Sequence, residues 1–334
     1  MTISYIGIVG AGAWGTALAQ VVRQSGCEAV LWAHEEEVAK EINIQHENKL
    51  FLPGIQLDPG IRATTILEDA AEVDAIFLAV PAQYLRSVII KLPLSLSREI
   101  PAVVCAKGVE LKSAALMSEV VNDALPGRPI AILSGPTFAE EVARGMPTAV
   151  TLAANDAAVG NELVEAIGNQ NFRPYFSDDV TGAEIGGAVK NVLAIACGIT
   201  DGRGLGNNAR AAVITRGLVE MTRLCIAKGG RAETMMGLSG LGDLTLTCTS
   251  NQSRNYSLGK QLGKGKLLEK LLSTRLSVAE GVTSASAISN LAKKLNIEMP
   301  ITDAVSAILD DSITVEHAIK ELLIRPFRSE DPLR

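Results

Sequence analysis

The chain has 334 residues, 47% apolar and 20% charged, and a net charge of −6. That is the composition of a folded chain of about two domains, and the acidic balance argues against a general nucleic-acid coat, which needs a basic footprint. Aromatics are only 4%, so the cores must be built from Ala, Leu, Ile and Val. The five cysteines have no CxxC spacing and the three histidines form no metal-ligand pattern, which leaves reduced thiols and no metal as the expectation. No uninterrupted apolar run approaches the ~18–20 residues of a bilayer span, and no basic region precedes the first apolar run. Neither a membrane span nor an export signal is therefore expected.

In chain order the first half alternates apolar runs with helical spacing. Strands are predicted at Tyr5–Val9, Ala29–Trp32, Ala75–Val80, Ala102–Cys105, Ile130–Leu133, Ala149–Ala153 and Phe172–Phe176. Helices are predicted at Trp14–Ser25, Glu35–His46, Ala82–Lys91 and Asp156–Ile167. Strands this apolar, separated by helices, imply a parallel sheet covered on both faces. From Glu184 onward only helical spacing remains, at 183–200, 209–228, 231–237, 255–264, 282–295, 301–310 and 315–324. The expected plan is an α/β parallel-sheet domain over 1–180 and an all-helical domain over 181–334, with the boundary near 178–185. Residues 1–180 carry 12 basic and 22 acidic side chains, the remainder 19 and 15. A mildly basic helical half suits a small anionic substrate, and equally a solvated surface.

Gly10-Ala11-Gly12-Ala13-Trp14-Gly15 leaves a strand and opens a helix, the context that gives the dinucleotide fingerprint its meaning. Gly10 allows a tight turn, Gly12 lets backbone approach a pyrophosphate at the helix N-terminus, and Gly15 permits close helix–strand packing. The second strand ends at His34, followed by Glu35. An acidic tip holds ribose hydroxyls in NAD enzymes, whereas His34 would not repel a 2′-phosphate, so NAD and NADP both stay open. Trp14 lies at the same loop, either beside a cofactor or packing the first helix.

Ligands of open parallel sheets bind beyond the carboxyl ends of strands. Lys107 follows one predicted strand, and Ser134-Gly135-Pro136-Thr137-Phe138 follows the next. Lys190 lies inside an apolar helix just after Gly186-Gly187. Two glycines in a helix cost about 1 kcal/mol each against alanine, so a helix or a ligand passes close. A lysine on such a stretch is paired, working or snorkelling. Asp243 and Thr247 share a face if helical, although Asp243 after Gly242 could also be an N-cap. Ser253-Arg254-Asn255 reads as a helix start that presents Arg254 beside N–H groups, a pairing suited to anions.

The segments GAGAWGTALA, AKG, SGPTF, GGAVKN, GLGDLTLTCTSNQSRN and Glu280-Gly281 stand in the order found in NAD(P)-dependent glycerol-3-phosphate dehydrogenase of the bacterial soluble type. The resemblance runs from residue 6 to about 305. It implies a Rossmann-type domain followed by an all-helical one, in a cytoplasmic homodimer. The implied reaction is the NAD(P)H-dependent reduction of dihydroxyacetone phosphate to sn-glycerol 3-phosphate, for glycerophospholipid synthesis. By resemblance, Lys190 is the proton donor/acceptor. Lys107, Gly135, Thr137, Asn191, Asp243, Thr247, Ser253, Arg254 and Asn255 match substrate positions. Ala13, Trp14, His34, Ala139, Val278 and Glu280 match cofactor contacts, with Lys107 and Arg254 near both ligands. Where the family often has Ser and Tyr, this chain has Ala13 and Phe51, so a hydroxyl contact is missing at each.

A lysine ammonium beside a ketone polarises it and protonates the nascent alkoxide. The reverse oxidation needs a neutral lysine, hence a lowered pKa. Lys107 would lower it and Asp243 would raise it; the sequence leaves the balance open. Two other functions fit the same plan. One is a related hydroxyacid dehydrogenase with a carboxylate clamp. The other is a non-catalytic NAD(P)H-sensing regulator, which needs neither Lys190 nor a phosphate-binding arginine.

Overall fold

The computed structural model describes residues 3–93, 97–273 and 280–327. The chain divides into two compact units. One runs to Ala106 and resumes over Met117–Val180; the other joins Lys107–Leu116 to the chain from Thr181 onward.

The first unit holds, in order, β1 (Tyr5–Val9), α1 (Ala13–Gln24), β2 (Glu28–Trp32), α2 (Glu36–Gln45), β3 (Arg62–Thr64), β4 (Ala75–Leu78), α3 (Ala82–Ile89) and β5 (Ala102–Val104). It continues with α4 (Met117–Ala124), β6 (Ile130–Ser134), α5 (Ala139–Ala143), β7 (Thr148–Ala154), α6 (Ala157–Ile167) and β8 (Phe172–Ser177). The strands form one 8-stranded sheet in the order β3-β2-β1-β4-β5-β6-β7-β8. β1 is third from the β3 edge, parallel to both β2 and β4, and is buried from Ile6 to Val9. A strand covered on both faces is apolar throughout rather than alternating, which is why β1 and β4 were easy to recognise.

The pattern implied a parallel sheet; the sheet is parallel except at one pairing. β7 runs antiparallel to β6, and β8 follows β7's direction. The cause is the connection: α5 has only 5 residues. At ~1.5 Å per residue it is far too short to carry the chain back along a strand rising ~3.3 Å per residue. Some elements were not predicted, β3 and α4 among them. β3 is a three-residue edge strand with only Ala63 buried, too short and too polar to register as an apolar run. α4 has Met117, Val120 and Val121 buried at helical spacing, but is only two turns long.

The second unit is helical: α7 (Val180–Gly202), α8 (Gly206–Ala227), α9 (Asp243–Thr249), α10 (Arg254–Gly263), α11 (Leu268–Ser273), α12 (Glu280–Lys294), α13 (Pro300–Leu309) and α14 (Val315–Leu323). Residues 231–237, expected as α-helix, form a 3₁₀ turn at Ala232–Met236. α7 is the centre, buried continuously from Gly182 to Thr200. By length and composition α7 is apolar enough to cross a bilayer, contrary to the reading from uninterrupted runs. Its apolar window is wholly buried inside the unit; a helix apolar all round is what the middle of a helical core requires. α13 is docked by Glu220, whose buried carboxylate accepts the N–H groups of Ile301 (2.6 Å) and Thr302 (3.1 Å) and the Thr302 hydroxyl (2.9 Å).

Residues 107–116 do not belong with the sheet, as a single boundary near 180 would require. They fold as a tight loop, Glu110 N–H bonding Ala115 O at 2.9 Å. Val109, Ala114 and Leu116 enter the helical core. The physical consequence is functional: Lys107, three residues past β5, becomes part of the helical unit.

Candidate active site

In the first unit the three loop glycines differ in what they permit. Gly10 sits at φ +116°, where a Cβ would press on the backbone of Ala79 and Val80 at 3.0 Å. Gly15 lies against the Gly10 carbonyl, and a Cβ there would fall 1.8 Å from its oxygen. Gly12, the N-cap of α1, faces open space, with nothing within 4 Å of an added Cβ. The backbone is therefore packed tightly on both sides of one open position at a helix N-terminus, where aligned N–H dipoles favour an anion. That cradle fits the pyrophosphate of a nicotinamide dinucleotide. Ala13 and Trp14, the first residues of α1, pack partly buried against the sheet core.

At the end of β2, Gly10 N–H bonds Trp32 O at 3.0 Å, which ties the glycine loop to that tip. His34 is exposed there, its ring 6.1 Å from that of Trp32. Gly135 and Thr137 lie in the turn from β6 to α5, and Ala139 is the first residue of α5; the Thr137 hydroxyl donates back to Gly135 O at 3.2 Å.

In the second unit the structure brings together residues far apart in sequence. Lys190 Nζ donates to Asp243 Oδ1 at 2.5 Å and to Thr247 Oγ1 at 3.1 Å. Lys107 Nζ donates to the other carboxylate oxygen, Oδ2, at 2.7 Å. Asp243 is 0% exposed and the Lys190 side chain 8%. Asp243 is thus not an N-cap: it is the first residue of α9, and no side chain caps that helix. Lys190 does not snorkel either, because its ammonium is the buried end.

Local backbone makes this possible. The chain enters α9 through a π-helical turn at Leu238–Gly242, a widened turn found often at functional sites. That turn is what passes close to the glycines of α7: a Cβ on Gly186 would fall 2.2 Å from Ser239 O. Alanine at 186 would push the turn off α7 and carry Asp243 with it. α10 is pinned in the same way, a Cβ on Gly198 falling 2.1 Å from Tyr256 O.

Beside the lysines runs a chain of amides. Asn255 Nδ2 donates to Asn191 Oδ1 at 3.0 Å, Gly281 N–H donates to Asn255 Oδ1 at 3.0 Å, and Asn191 Nδ2 reaches Glu280 Oε2 at 3.5 Å. The asparagines therefore link α7, α10 and α12. Ser253 caps α10, accepting Tyr256 N–H at 3.2 Å, and Arg254, the exposed first residue, stands at the positive end of that helix. Val278 lies outside the described residues.

Electrostatics follow from the burial. Desolvation, the largest effect, pulls the Lys190 ammonium down to about 8; Asp243 resists and the charge of Lys107 adds to the fall. The balance that the sequence left open thus falls to burial. Burial also raises the Glu280 carboxyl, against the opposing charges of Arg254, Lys190 and Lys107. Three cations (Lys107, Lys190, Arg254) stand with two anions (Asp243, Glu280), an excess of positive charge that suits an anionic ligand.

Two residues of consequence were passed over in the sequence, Thr16 and Asn48. Asn48 lies between elements, where no periodicity marks it.

The family model described as NAD-dependent glycerol-3-phosphate dehydrogenase N-terminus matches residues 5–160, and its C-terminus counterpart matches 179–320. A glycerol-3-phosphate dehydrogenase (NAD(P)+) of Parvibaculum lavamentivorans is 56% identical over 332 residues, 99% of this chain and 100% of the relative. That of Caulobacter vibrioides is 54% identical over 330 residues, 99% of this chain and 100% of its own. The crystal structure of glycerol-3-phosphate dehydrogenase from Coxiella burnetii superposes with a TM-score of 0.93 at 41% identity, covering 97% of this chain and 100% of that one. With both units matched by one family's models and its length spanned by relatives at more than half identity, this chain belongs to the NAD-dependent glycerol-3-phosphate dehydrogenase family.

Proposed function

We propose that this chain catalyses the reversible, NAD(P)H-dependent reduction of dihydroxyacetone phosphate to sn-glycerol 3-phosphate, with Lys190 as the proton donor and acceptor. The observation that carries the reading is the buried Lys190–Asp243–Lys107 cluster, in a chain whose relatives bear that activity in their names. Loss of NADPH absorbance on adding dihydroxyacetone phosphate tests it directly. No turnover with this ketone, while NADPH binds, would overturn the substrate.

The glycine loop and the N-terminal end of α1 would hold the dinucleotide pyrophosphate, with Ala13, Trp14, His34 and Ala139 as further contacts; the family resemblance adds Val278 and Glu280 to the cofactor positions. Bound there, a nicotinamide supplies the hydride. The protein supplies the rest. Lys190, charged at neutral pH, polarises the ketone and delivers a proton to the oxygen. Asp243 and Thr247 hold the ammonium in one place. Burial, with the charge of Lys107 adding to it, keeps its pKa low enough to release the proton, and Lys107 adds positive charge toward the substrate. Arg254 grips the phosphate as a planar fork at the positive end of α10, with Ser253 and Asn255 shaping that end. The family resemblance gives Asn191, Gly135 and Thr137 as the remaining substrate positions. The product is the backbone of glycerophospholipids, and the working form in this reading is a cytoplasmic homodimer supplying their synthesis.

The lysine pKa fixes the sign of the pH dependence. Reduction needs the ammonium, so its rate should fall as pH rises through about 8. Oxidation of glycerol 3-phosphate needs the neutral amine and should rise through the same region. Asp243→Asn removes the anion that holds the proton on Lys190, so both limbs should move to lower pH. Profiles of kcat in the two directions check this; limbs that stay in place in Asp243→Asn would separate the titration from Lys190.

His34→Ala should weaken NADPH more than NADH, because only NADPH carries the 2′-phosphate and His34 is the exposed side chain at the β2 tip. Titrating both nucleotides against wild type and variant is the check. Equal losses would show that this tip does not read the phosphate.

A further inference from the structure

Asn48 belongs to no helix or strand, yet it is 0% exposed, and its side-chain amide is spent on the glycine loop. Nδ2 donates to Ala11 O at 2.8 Å and to Thr16 Oγ1 at 2.8 Å. Oδ1 accepts Phe51 N–H at 3.1 Å. The Thr16 hydroxyl in turn donates to Ala11 O at a longer 3.3 Å. The amide donors are therefore used on the turn between β1 and α1 and on the first turn of α1, and the acceptor is used on the 48–52 loop, itself closed by Leu52 N–H to Asn48 O at 2.8 Å.

The Ala11 carbonyl matters because of what lies on the other side of its peptide unit. In a trans peptide the C=O of one residue and the N–H of the next point in opposite directions. Drawing the Ala11 oxygen inward onto Asn48 turns the Gly12 N–H outward. Gly12 is the open position of the loop, where an added Cβ meets nothing within 4 Å. The buried amide thus sets the orientation of a peptide whose donor faces the place a pyrophosphate would occupy. Glycine at 12 makes that peptide easy to rotate, so an external clamp is needed to hold one orientation.

We infer that Asn48 is a positioning residue of the nucleotide loop, holding the Ala11–Gly12 peptide with its N–H toward the cofactor pyrophosphate and fastening the Phe51 loop to the same point. The inference rests on the dinucleotide reading above. It assigns to Asn48 no contact with the cofactor. A side chain that merely stabilised the fold would lower the melting temperature and leave the affinity of the folded protein alone.

The test uses Asn48→Ala, Asn48→Asp and Thr16→Val in the full chain, titrated with NADH and with ADP-ribose, which keeps the pyrophosphate and lacks the nicotinamide. Asn48→Asp keeps the shape and the acceptor for Phe51 N–H but loses both donors. The dissociation constants of both ligands should rise roughly tenfold or more in the two Asn48 variants, the scale of one lost hydrogen bond with its peptide misoriented. Thr16→Val should show a smaller rise, because Asn48 still holds Ala11 O. The KM for dihydroxyacetone phosphate should stay within about twofold of wild type, as expected of residues in separate sites. The thermal shift produced by NADH should shrink in parallel. If Asn48→Ala does not fold, Asn48→Asp and Thr16→Val decide. Wild-type affinity for ADP-ribose in Asn48→Asp, with only a lower melting temperature, overturns the inference. Failure of the wild-type chain to bind NADH would overturn the dinucleotide reading instead.

Discussion

Lys190→Ala is expected to lower kcat by roughly 10²–10⁴-fold, the usual effect of removing a positioned general acid, while NADPH binds nearly as before. The ammonium is buried and held by two partners, Asp243 and Thr247. The truncation removes both the proton source and the neighbouring charge of the nascent alkoxide. The nucleotide loop belongs to the other compact unit, which is why binding should survive. Asp243 keeps Lys107 as a partner at 2.7 Å, so the fold is not left with an unpaired buried carboxylate, whose cost would be several kcal/mol. Lys190→Arg should not rescue turnover, since a guanidinium holds its proton far above neutral pH. Steady-state kinetics with a parallel NADPH titration check the split. Residual kcat above about a tenth of wild type would remove Lys190 from proton transfer.

Arg254→Ala is expected to raise KM for dihydroxyacetone phosphate and lower kcat/KM roughly 10- to 150-fold, equivalent to the ~1.5–3 kcal/mol of a hydrogen bond to a charged group. Arg254 opens α10, adding a planar fork to the positive end of a helix that Ser253 caps. Its charge reaches Glu280, whose carboxyl it helps to hold down against burial. Losing it should therefore also raise that carboxyl further. Arg254→Lys should recover part of the loss, since lysine keeps the charge and loses the fork. On dihydroxyacetone, which has no phosphate, wild type and Arg254→Ala should differ much less. An equal factor on both substrates would show that Arg254 does not anchor the phosphate, and would point to the cofactor as its partner.

How much of this was legible beforehand depends on what each signal can carry. The glycine loop was readable because two backbone demands, a positive φ at Gly10 and a tight helix–strand contact at Gly15, each select glycine at a fixed place, with the open Gly12 between them. β1, β4 and α7 were readable because burial on every side requires an unbroken apolar pattern. Lys190 stood out for the complementary reason, as a charge where the pattern demands none.

Hydrophobic spacing says that a face is buried and not what buries it. It placed β7 as a strand without its direction, which the five-residue α5 decided. It could not tell α7 as a core helix from a bilayer span, because both hide an apolar surface from water; only the surrounding helices distinguish them. It kept residues 107–116 with the sheet they follow, although Val109 and Leu116 found their core among the helices. The shared carboxylate of Asp243 joins lysines 53 and 136 positions away, and the amide of Asn48 reaches back 37 positions to Ala11. Hydrogen bonds between residues so far apart leave no local periodicity. The amino-acid order determined which residues had to be buried and where glycine was required; the tertiary structure decided which charges and amides met, because partnership depends on distance in space.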